Sequence, residues 1–303
     1  MKFSKLLKTL TLTTIVTVAS QSPFFVQKNK VLAQSKSSVI EYAYSTNHYG
    51  YYGTISSSVF KNDITNIINQ KGSIQNIAFT PQNRFVIIYT TPSQNYPLQY
   101  HFYSNGIPQE AINELNSLFS QPFGSITDIE FTPKGGFIIL FNENNSYYIS
   151  SNTPQTLVND FKTAFNQVSI FQKINRVLFP PQGGVALVVD NYNFVYSNDI
   201  PQALVQQFIN ITQASELGQS IPIITSIAFT PQGGLVATLN NLSTPVYYYG
   251  NIPQTLSNQI QQLRSANAIF DAFVIAFSPS NDWVLLNDVT SYGSGPCIAC
   301  TEF

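Results

Sequence analysis

The hydrophobic and polar positions of this chain repeat about every fifty residues. An apolar segment ends in Phe-Thr-Pro, or in a close variant of it, five times, and successive copies lie 52, 48, 50 and 48 residues apart. A second signature, Pro-Gln after a tyrosine-rich segment, recurs four times between them. The residues concerned are Phe79, Phe131, Phe179, Phe229 and Phe277, and Pro108, Pro154, Pro201 and Pro253. Two interleaved signatures with one period predict an internal repeat.

Each repeat has the pattern of three strands followed by a helix. The first strand alternates, which predicts that Asp128 and Glu130 share one face and that Ile129 and Phe131 share the other. The second strand is apolar at consecutive positions, as is typical of burial on both faces, and the third is aromatic. The helix is predicted to begin at the proline of Pro-Gln, because proline is favoured at the first helical position. Its apolar residues then recur at helical spacing.

A turn with a special backbone conformation is predicted between the first two strands. Four residues after each phenylalanine, only asparagine or glycine occurs. These residue types tolerate a positive φ, so this slot is predicted to be left-handed. The five residues are Asn83, Gly135, Gly183, Gly233 and Asn281.

The two ends of the chain carry complementary parts of one repeat. Residues 42–52 form an aromatic third strand, with a helical pattern after it and no hairpin before it. The last repeat has a hairpin but lacks its third strand and helix. Pairing the two ends would complete five repeats and cover sheet edges that an open array exposes. The predicted fold is therefore mostly β with helices, a closed five-fold propeller-like ring in which the N-terminal strand closes the ring.

The hairpin motif resembles that of a known repeat family. The run IAFTPQGG at residues 227–234, and FSPSN at residues 277–281, are similar to the strand-turn-strand signature of WD40-like β-propeller repeats of bacterial exported proteins. The resemblance implies a propeller, although a helix here replaces the fourth strand and the period exceeds the usual ~40–45 residues. The cyclic strand-helix order also resembles the pentein fold. Pentein catalysis requires a nucleophilic cysteine with histidine and acidic partners, whereas here both cysteines lie in the C-terminal tail.

The N-terminus has the pattern of a secretory signal peptide. Lys2, Lys5 and Lys8 precede an uncharged, mainly apolar segment. Small residues allow cleavage after Ser20 or after Ala33, and the second is preferred because a polar stretch follows it. The alternative is an uncleaved membrane anchor, for which the apolar segment is short. The predicted organisation is a signal peptide over 1–33, one five-repeat domain over 34–292 and a Gly/Ser/Cys tail over 293–303.

Charge narrows the range of partners. Only 10% of residues are charged, and residues 1–33 hold five of the 14 basic residues and no acidic residue. The remainder carries nine basic and 15 acidic residues, a net charge of −6. This balance lacks the basic surface that nucleic acids or anionic membranes require. We therefore expect a secreted or periplasmic monomer whose partner is a neutral glycan or a protein surface.

Few residues match the patterns of catalytic or metal sites. His48 and His101 lie in aromatic third-strand segments, where a partly exposed structural role is favoured over that of a base or metal ligand. Cys297 and Cys300 most simply form a local disulfide in an exported protein, and redox activity is the alternative. No metal or cofactor is expected.

Departures from the repeat mark a candidate site at its centre. Three residues before the phenylalanines stand Asn76, Asp128, Arg176, Ser226 and Val274. Glu130 stands one residue before Phe131, where three other repeats have alanine. If the first strands line the centre of the ring, these polar side chains converge there. They would form either a polar pocket with a carboxylate pair or an internal ion pair that closes the channel.

Two functions follow as hypotheses. The first is a non-catalytic binding or scaffold module that recognises a glycan or protein through the aromatic third strands, with Tyr148, Tyr196 and Tyr248 as ligand-binding residues. The alternative role for these rings is to cover the sheets and helices. The second function is a carbohydrate-active hydrolase in which Asp128 and Glu130 are catalytic.

Overall fold

The computed structural model describes residues 49–91, 99–121, 125–141, 146–213, 223–240, 246–265 and 271–288. All of them belong to Ser38–Phe303, the second of two compact units into which the chain divides. The predicted signal peptide, His48, Cys297 and Cys300 lie outside the described residues.

The described chain alternates groups of strands with single helices, in the predicted order. The strands are β1 Tyr49–Gly53, β2 Ser73–Phe79, β3 Phe85–Thr91, β4 Gln99–Asn105, β5 Ile126–Phe131, β6 Phe137–Phe141, β7 Ser146–Ile149, β8 Ile174–Leu178, β9 Ala186–Val189, β10 Asn193–Tyr196, β11 Ile223–Phe229, β12 Leu235–Asn240, β13 Val246–Tyr249, β14 Asp271–Phe277 and β15 Trp283–Asp288. The helices are α1 Ser58–Asn69, α2 Gln109–Phe119, α3 Gln155–Phe165, α4 Gln202–Thr212 and α5 Gln254–Ser265.

The strands form five antiparallel sheets of three strands each. The first four sheets are sequential, β2-β3-β4, β5-β6-β7, β8-β9-β10 and β11-β12-β13. The fifth has the order β14-β15-β1, so the first strand of the described chain pairs with the last. In this pair Tyr49 is opposite Asp288 and Gly53 is opposite Val284. The predicted pairing of the N-terminal aromatic segment with the C-terminal hairpin is thus present.

The first strand of every sheet is bulged at the same position, four residues before its phenylalanine. There the register of the ladder with the second strand shifts past one residue, as at Gln75 in β2 and Thr225 in β11. The same irregularity occurs in β5, β8 and β14. A bulge adds one residue to a strand, so the alternation of side chains between the two faces shifts by one position after it. It therefore brings Ile74, Ile77 and Phe79 to one face of the first sheet, where all three pack in one apolar cluster.

Each helix lies between two sheets in an apolar cluster. For example, α2 contributes Ala111, Leu115 and Leu118 to a cluster that contains Val86 of the first sheet and Ile139 of the second. The other four clusters likewise join the second sheet to the third, the third to the fourth, the fourth to the fifth and the fifth to the first. Every sheet therefore buries both of its faces, as the apolar second strands predict.

Two local predictions can be compared with the backbone. The slot four residues after each phenylalanine has φ of 61°, 91°, 112°, 83° and 66° at Asn83, Gly135, Gly183, Gly233 and Asn281, so its predicted left-handed conformation is confirmed. The predicted start of the helices was wrong by one residue. Pro108, Pro154 and Pro201 have ψ near 133–140° and cap the helices, which begin at the following glutamine.

Candidate functional site

The first strands of all five sheets border one cavity of about 330 Å³. Its lining includes Asn76, Asp128, Arg176 and Ser226 at one end, and the turn prolines that follow the five phenylalanines at the other. Four of these prolines, Pro133, Pro181, Pro231 and Pro279, are exposed, and Pro81 is half-buried. The cavity thus runs from a polar floor to an opening at the proline turns.

The carboxylate of Asp128 is the centre of the floor. Its Oδ1 accepts hydrogen bonds from Asn76 Nδ2 of the first sheet at 2.5 Å and from Arg176 Nη1 of the third sheet at 3.1 Å. Its Oδ2 accepts the backbone N–H of Val177 at 2.7 Å. Asp128 is only 2% exposed. One buried carboxylate therefore ties together three sheets.

The guanidinium of Arg176 extends this network across the floor. Besides Asp128, its Nη2 donates to the carbonyl of Gln75 at 2.9 Å and, in a longer contact, to that of Thr225 at 3.5 Å. Both carbonyls belong to the residues at which the ladders of their sheets are bulged. Arg176 thus connects the bulges of the first and fourth sheets to the floor. The floor contains the Asp128–Arg176 ion pair that was one of the two predicted arrangements.

The other residues at the level of Asp128 and Arg176 connect the remaining sheets. Ser226 Oγ accepts the N–H of Ile275 at 3.2 Å and so joins the fourth sheet to the fifth. Asn76 Nδ2 also donates to the carbonyl of Ile129 at 3.1 Å. Val274, the fifth residue of the set, is apolar and packs with Ile77 in the cluster between the fifth and first sheets.

Glu130 lies in the cavity wall, one step closer to the opening. It is half-buried and lines the cavity, and within the described residues its carboxylate forms neither a hydrogen bond nor an ion pair. Alanine or leucine occupies the same position in the other four strands, at Ala78, Leu178, Ala228 and Ala276. Glu130 is thus the one acidic side chain in an apolar belt.

Burial affects the two carboxyl groups differently. Desolvation raises the pKa of Asp128, and the Arg176 charge and the Val177 N–H oppose that effect. Desolvation also raises the pKa of Glu130 well above its ordinary value of 4.5, and the nearby charge of Asp128 raises it further. Only Arg176 acts on Glu130 in the opposite direction. Glu130 is therefore the more readily protonated of the two in the arrangement described.

The three tyrosines predicted to bind ligand pack between sheets and helices. Tyr148 stacks on Phe137 with ring centroids 5.9 Å apart, and its hydroxyl donates to Glu110 at 2.7 Å. Tyr196 lies 6.2 Å from the ring of Phe208 in α4. Tyr248 packs in the cluster that contains α5. All three are half-buried and belong to three different clusters, so the fold does not bring them to one place.

His101 occupies a packed position in β4. Its ring stacks on Tyr89 at a centroid distance of 5.2 Å, and its Nε2 lies 2.9 Å from Thr91 Oγ1. Desolvation lowers the pKa of His101. These contacts give it the structural role that the sequence favoured. Within the described ranges, no three His, Cys, Asp or Glu residues group closely enough to hold a metal ion.

Two features of the site escaped the sequence reasoning. The bulges had a signal, since apolar residues at positions such as 74, 77 and 79 are spaced by three and then by two, which a regular strand does not allow on one face. The second feature is Glu110 in the first turn of α2, which accepts bonds from Tyr148, the Ser151 N–H at 2.9 Å and the Ser151 hydroxyl at 3.1 Å. Nothing in the repeat pattern singles it out.

No protein-family model and no curated protein matches the chain. Among solved structures, it is similar to one described as YCF48 bound to D1 peptide, with a TM-score of 0.33 and 8% identity over 83% of this chain and 100% of that chain. In the part of the chain that the structure describes, no helix has the length and hydrophobicity needed to cross a membrane.

Proposed function

We propose that the domain over 34–292 is a closed ring of five sheets. The proposal is supported by the five apolar clusters, which join the sheets in cyclic order, and by the pairing of β1 with β15. It is also supported by the cavity, whose lining comes from all five first strands.

Truncation tests the ring. A chain that ends at Asn267 lacks β14 and β15, so β1 loses its partner and the clusters on both sides of the fifth sheet are exposed. We expect its thermal unfolding, followed by circular dichroism, to lose its cooperative transition. A chain that ends at Asp288 keeps every described strand and is the control. If the shorter chain unfolds as sharply and at the same temperature as this control, the ring is wrong.

We propose further that the chain is a non-catalytic binding module whose ligand enters the central cavity. The observation that carries this proposal is the convergence of five repeats on one space of about 330 Å³. This volume is within the range of small-molecule sites, roughly 300–1,000 Å³. The floor is polar but internally satisfied, whereas Glu130 in the wall has no described partner. The Glu130 carboxylate is therefore available to bind a ligand in the cavity.

The same geometry disfavours a hydrolase. A glycosidase requires two accessible carboxyl groups on either side of the scissile bond. Asp128 is 2% exposed, and both of its oxygens accept hydrogen bonds from the protein. It therefore supports the floor, and the described lining offers Glu130 no second accessible carboxylate with which to share a substrate.

Glycan recognition by Tyr148, Tyr196 and Tyr248 stays a prediction. The cavity has the stronger support, because these tyrosine rings pack against phenylalanines or helices and belong to separate clusters. Export from the cytoplasm also stays a prediction. N-terminal sequencing of the protein recovered outside the cytoplasm would test it, since cleavage after Ala33 leaves Gln34 as the first residue.

A cavity-filling variant tests the binding proposal. Ala228 is half-exposed in the cavity wall, and leucine occupies the equivalent position at Leu178, so Ala228→Leu should fill the cavity without disturbing the strand. The test is a screen of small-molecule fragments by thermal shift. We expect ligands of the unmodified protein to lose their effect on Ala228→Leu and to keep it on Ala203→Leu, a control on the exposed face of α4. Failure to find any ligand, or equal binding to both variants, would contradict the proposal.

A further inference from the structure

The polar groups of the cavity divide into those that are occupied and one that is not. In the floor, Arg176 uses Nη1 on Asp128 and Nη2 on two backbone carbonyls. The Asn76 amide donates to Asp128 and to the Ile129 carbonyl. Near the opening, Thr230 Oγ1 donates to the carbonyl of Asn251 at 2.9 Å. A ligand therefore finds Glu130 as the available polar side chain.

The charges of the cavity do not cancel. Asp128 and Arg176 form an ion pair with each other, and the ionised carboxylate of Glu130 has no ion-pair contact among the described residues. An unpaired charge in an apolar surrounding is unfavourable, and a cation that reaches it removes that cost. The cavity therefore favours a ligand with a positive charge.

The surroundings of Glu130 define the rest of the ligand. Ala78, Leu178, Ala228 and Ala276 border the cavity at its level and have no polar side-chain atoms. Inorganic cations such as Ca²⁺ require about six to eight oxygen ligands, and a single free carboxylate does not supply them. An ammonium group requires far fewer acceptors, and its carbon skeleton would contact the alanine and leucine side chains.

We propose that the cavity binds a small organic ammonium ion, with its charged nitrogen at the Glu130 carboxylate and its apolar part against the belt of alanine and leucine side chains. This inference rests on the proposed binding function of the cavity and specifies the class of its ligand.

The proposal has a pH dependence of defined sign. The charged groups that face Glu130 are Asp128 of its own strand and Arg176 of β8. Desolvation and Asp128 raise the pKa of Glu130, and Arg176 lowers it. Only the ionised form of Glu130 attracts an ammonium ion. Binding should therefore strengthen as the pH rises above 4.5 through the raised pKa of Glu130 and become constant above it.

Matched amines and alcohols test the charge requirement. Propylamine, cyclohexylmethylamine and benzylamine are protonated at about pH 8, and each has an alcohol with the same carbon skeleton. Isothermal titration calorimetry should show each amine binding at least about tenfold more tightly than its alcohol. This ratio of dissociation constants is what a hydrogen bond to a charged group typically contributes to affinity. Glu130→Gln should remove that difference and the pH dependence. Glu130→Ala should do the same, and alanine is the residue type found at the equivalent positions of the first and fourth sheets, Ala78 and Ala228.

The controls separate this proposal from the binding function. Glu114→Gln removes a carboxylate from α2, outside the cavity lining, and should leave the preference for amines unchanged. If amines and alcohols bind equally and Ala228→Leu blocks both, the cavity binds ligands but the ammonium class is wrong. If neither series binds and the fragment screen also finds no cavity ligand, both proposals are overturned. An amine preference that survives in Glu130→Gln overturns the role of Glu130.

Discussion

The second and fifth sheets have the same backbone plan and different side chains at two equivalent positions of their first strands. Both first strands, β5 and β14, are bulged four residues before the phenylalanine, and both continue into a turn with a left-handed residue. In β5 the inner positions hold Asp128 and Glu130, whereas in β14 they hold Val274 and Ala276. The bulged strand therefore forms with apolar residues at both of these positions. The carboxyl groups of the second sheet belong to the site and are not needed for the shape of the strand.

The helices before these two sheets make a similar comparison. The second helical residue is Glu110 in α2 and Thr255 in α5. Glu110 accepts hydrogen bonds from Tyr148 and Ser151, next to the second sheet, and Thr255 Oγ1 accepts the indole N–H of Trp283 in the fifth sheet at 2.9 Å. The second helical residue thus anchors its helix to the following sheet in both repeats. The hydrogen-bond acceptor is an ionised carboxylate at Glu110 and a neutral hydroxyl at Thr255.

The largest expected effect comes from removing the carboxylate at the floor. Asp128→Ala leaves the Arg176 charge without its ion-pair partner, removes one acceptor from Asn76 and takes away the acceptor of the Val177 N–H. We expect a loss of about 3–5 kcal/mol in the free energy of unfolding. Chemical denaturation of the purified protein measures it. The double variant Asp128→Val/Arg176→Met removes both charges, so it should recover the part of the loss that comes from the unpaired Arg176 charge, while the Val177 N–H stays without its acceptor. A double variant as unstable as the single one would show that the polar network is required for the fold.

The turn after β5 offers a matched pair of neighbouring glycines. A Cβ on Gly136 would lie 2.6 Å from atoms of Thr153, and its φ is 89°. Gly136→Ala should therefore cost about 1–3 kcal/mol in denaturation measurements. A Cβ on Gly135 meets nothing within 4 Å, and the fifth sheet has Asn281 in the same slot with φ of 66°. Gly135→Asn should change stability by less than about 0.5 kcal/mol, and a larger loss would mean that the two turns are not equivalent.

Neutralising Glu130 should stabilise the protein. Because the pKa of Glu130 is raised on folding, its ionised form opposes folding once the pH exceeds the ordinary value of 4.5. We expect Glu130→Gln to gain about 1–2 kcal/mol in the free energy of unfolding at neutral pH. The gain should shrink as the pH falls towards 4.5, where Glu130 takes up a proton in both states. Denaturation at several pH values checks this, and a gain that is constant with pH would exclude the charge as its cause.

The smallest effects are expected at the two helix anchors. The Ser151 N–H and the Tyr148 hydroxyl lower the pKa of Glu110, so its carboxylate stabilises the fold above 4.5 and loses that effect as the pH falls through the lowered pKa. Glu110→Gln should cost about 1 kcal/mol at neutral pH and less in acid. Thr255→Val should cost a similar amount, because it leaves the Trp283 N–H unpaired, and its cost should not vary over the same pH range. Identical pH profiles for the two variants would contradict this distinction.

Much of the backbone plan was predictable because it depends on local chemistry and on periodicity. Proline and the Asn/Gly slot define the turn between the first two strands through their φ angles. The continuous apolar sequence of the second strands predicts that both faces of each sheet are buried. The complementary ends of the chain predicted that residues near Tyr49 pair with the last hairpin, as they do. Predicting these features requires only the identity of residues close together in the sequence, or the number of complete repeats in the chain.

The site was predictable only in part. Asp128, Glu130 and Arg176 stood out as departures from the repeat, but the sequence left open whether they formed a pocket or an ion pair. The structure contains both, an ion pair in the floor and a cavity above it. Tyr148 has the same hydrophobic and polar character whether it contacts a ligand or Phe137, so its side-chain packing could not be deduced from the pattern.

The sequence by itself determined the five repeats, their strand and helix order and the turn conformation, because each follows from residue type and spacing. Only the tertiary structure decided which groups satisfy one another at the centre. Arg176 reaches bulge carbonyls of the first and fourth sheets, about 101 and 49 residues away along the chain. Hydrogen bonds over such separations depend on how the sheets pack, because a buried polar group must find a partner wherever the fold places one. Among the described residues that line the cavity, the same packing leaves the Glu130 carboxyl without a hydrogen-bond or ion-pair partner.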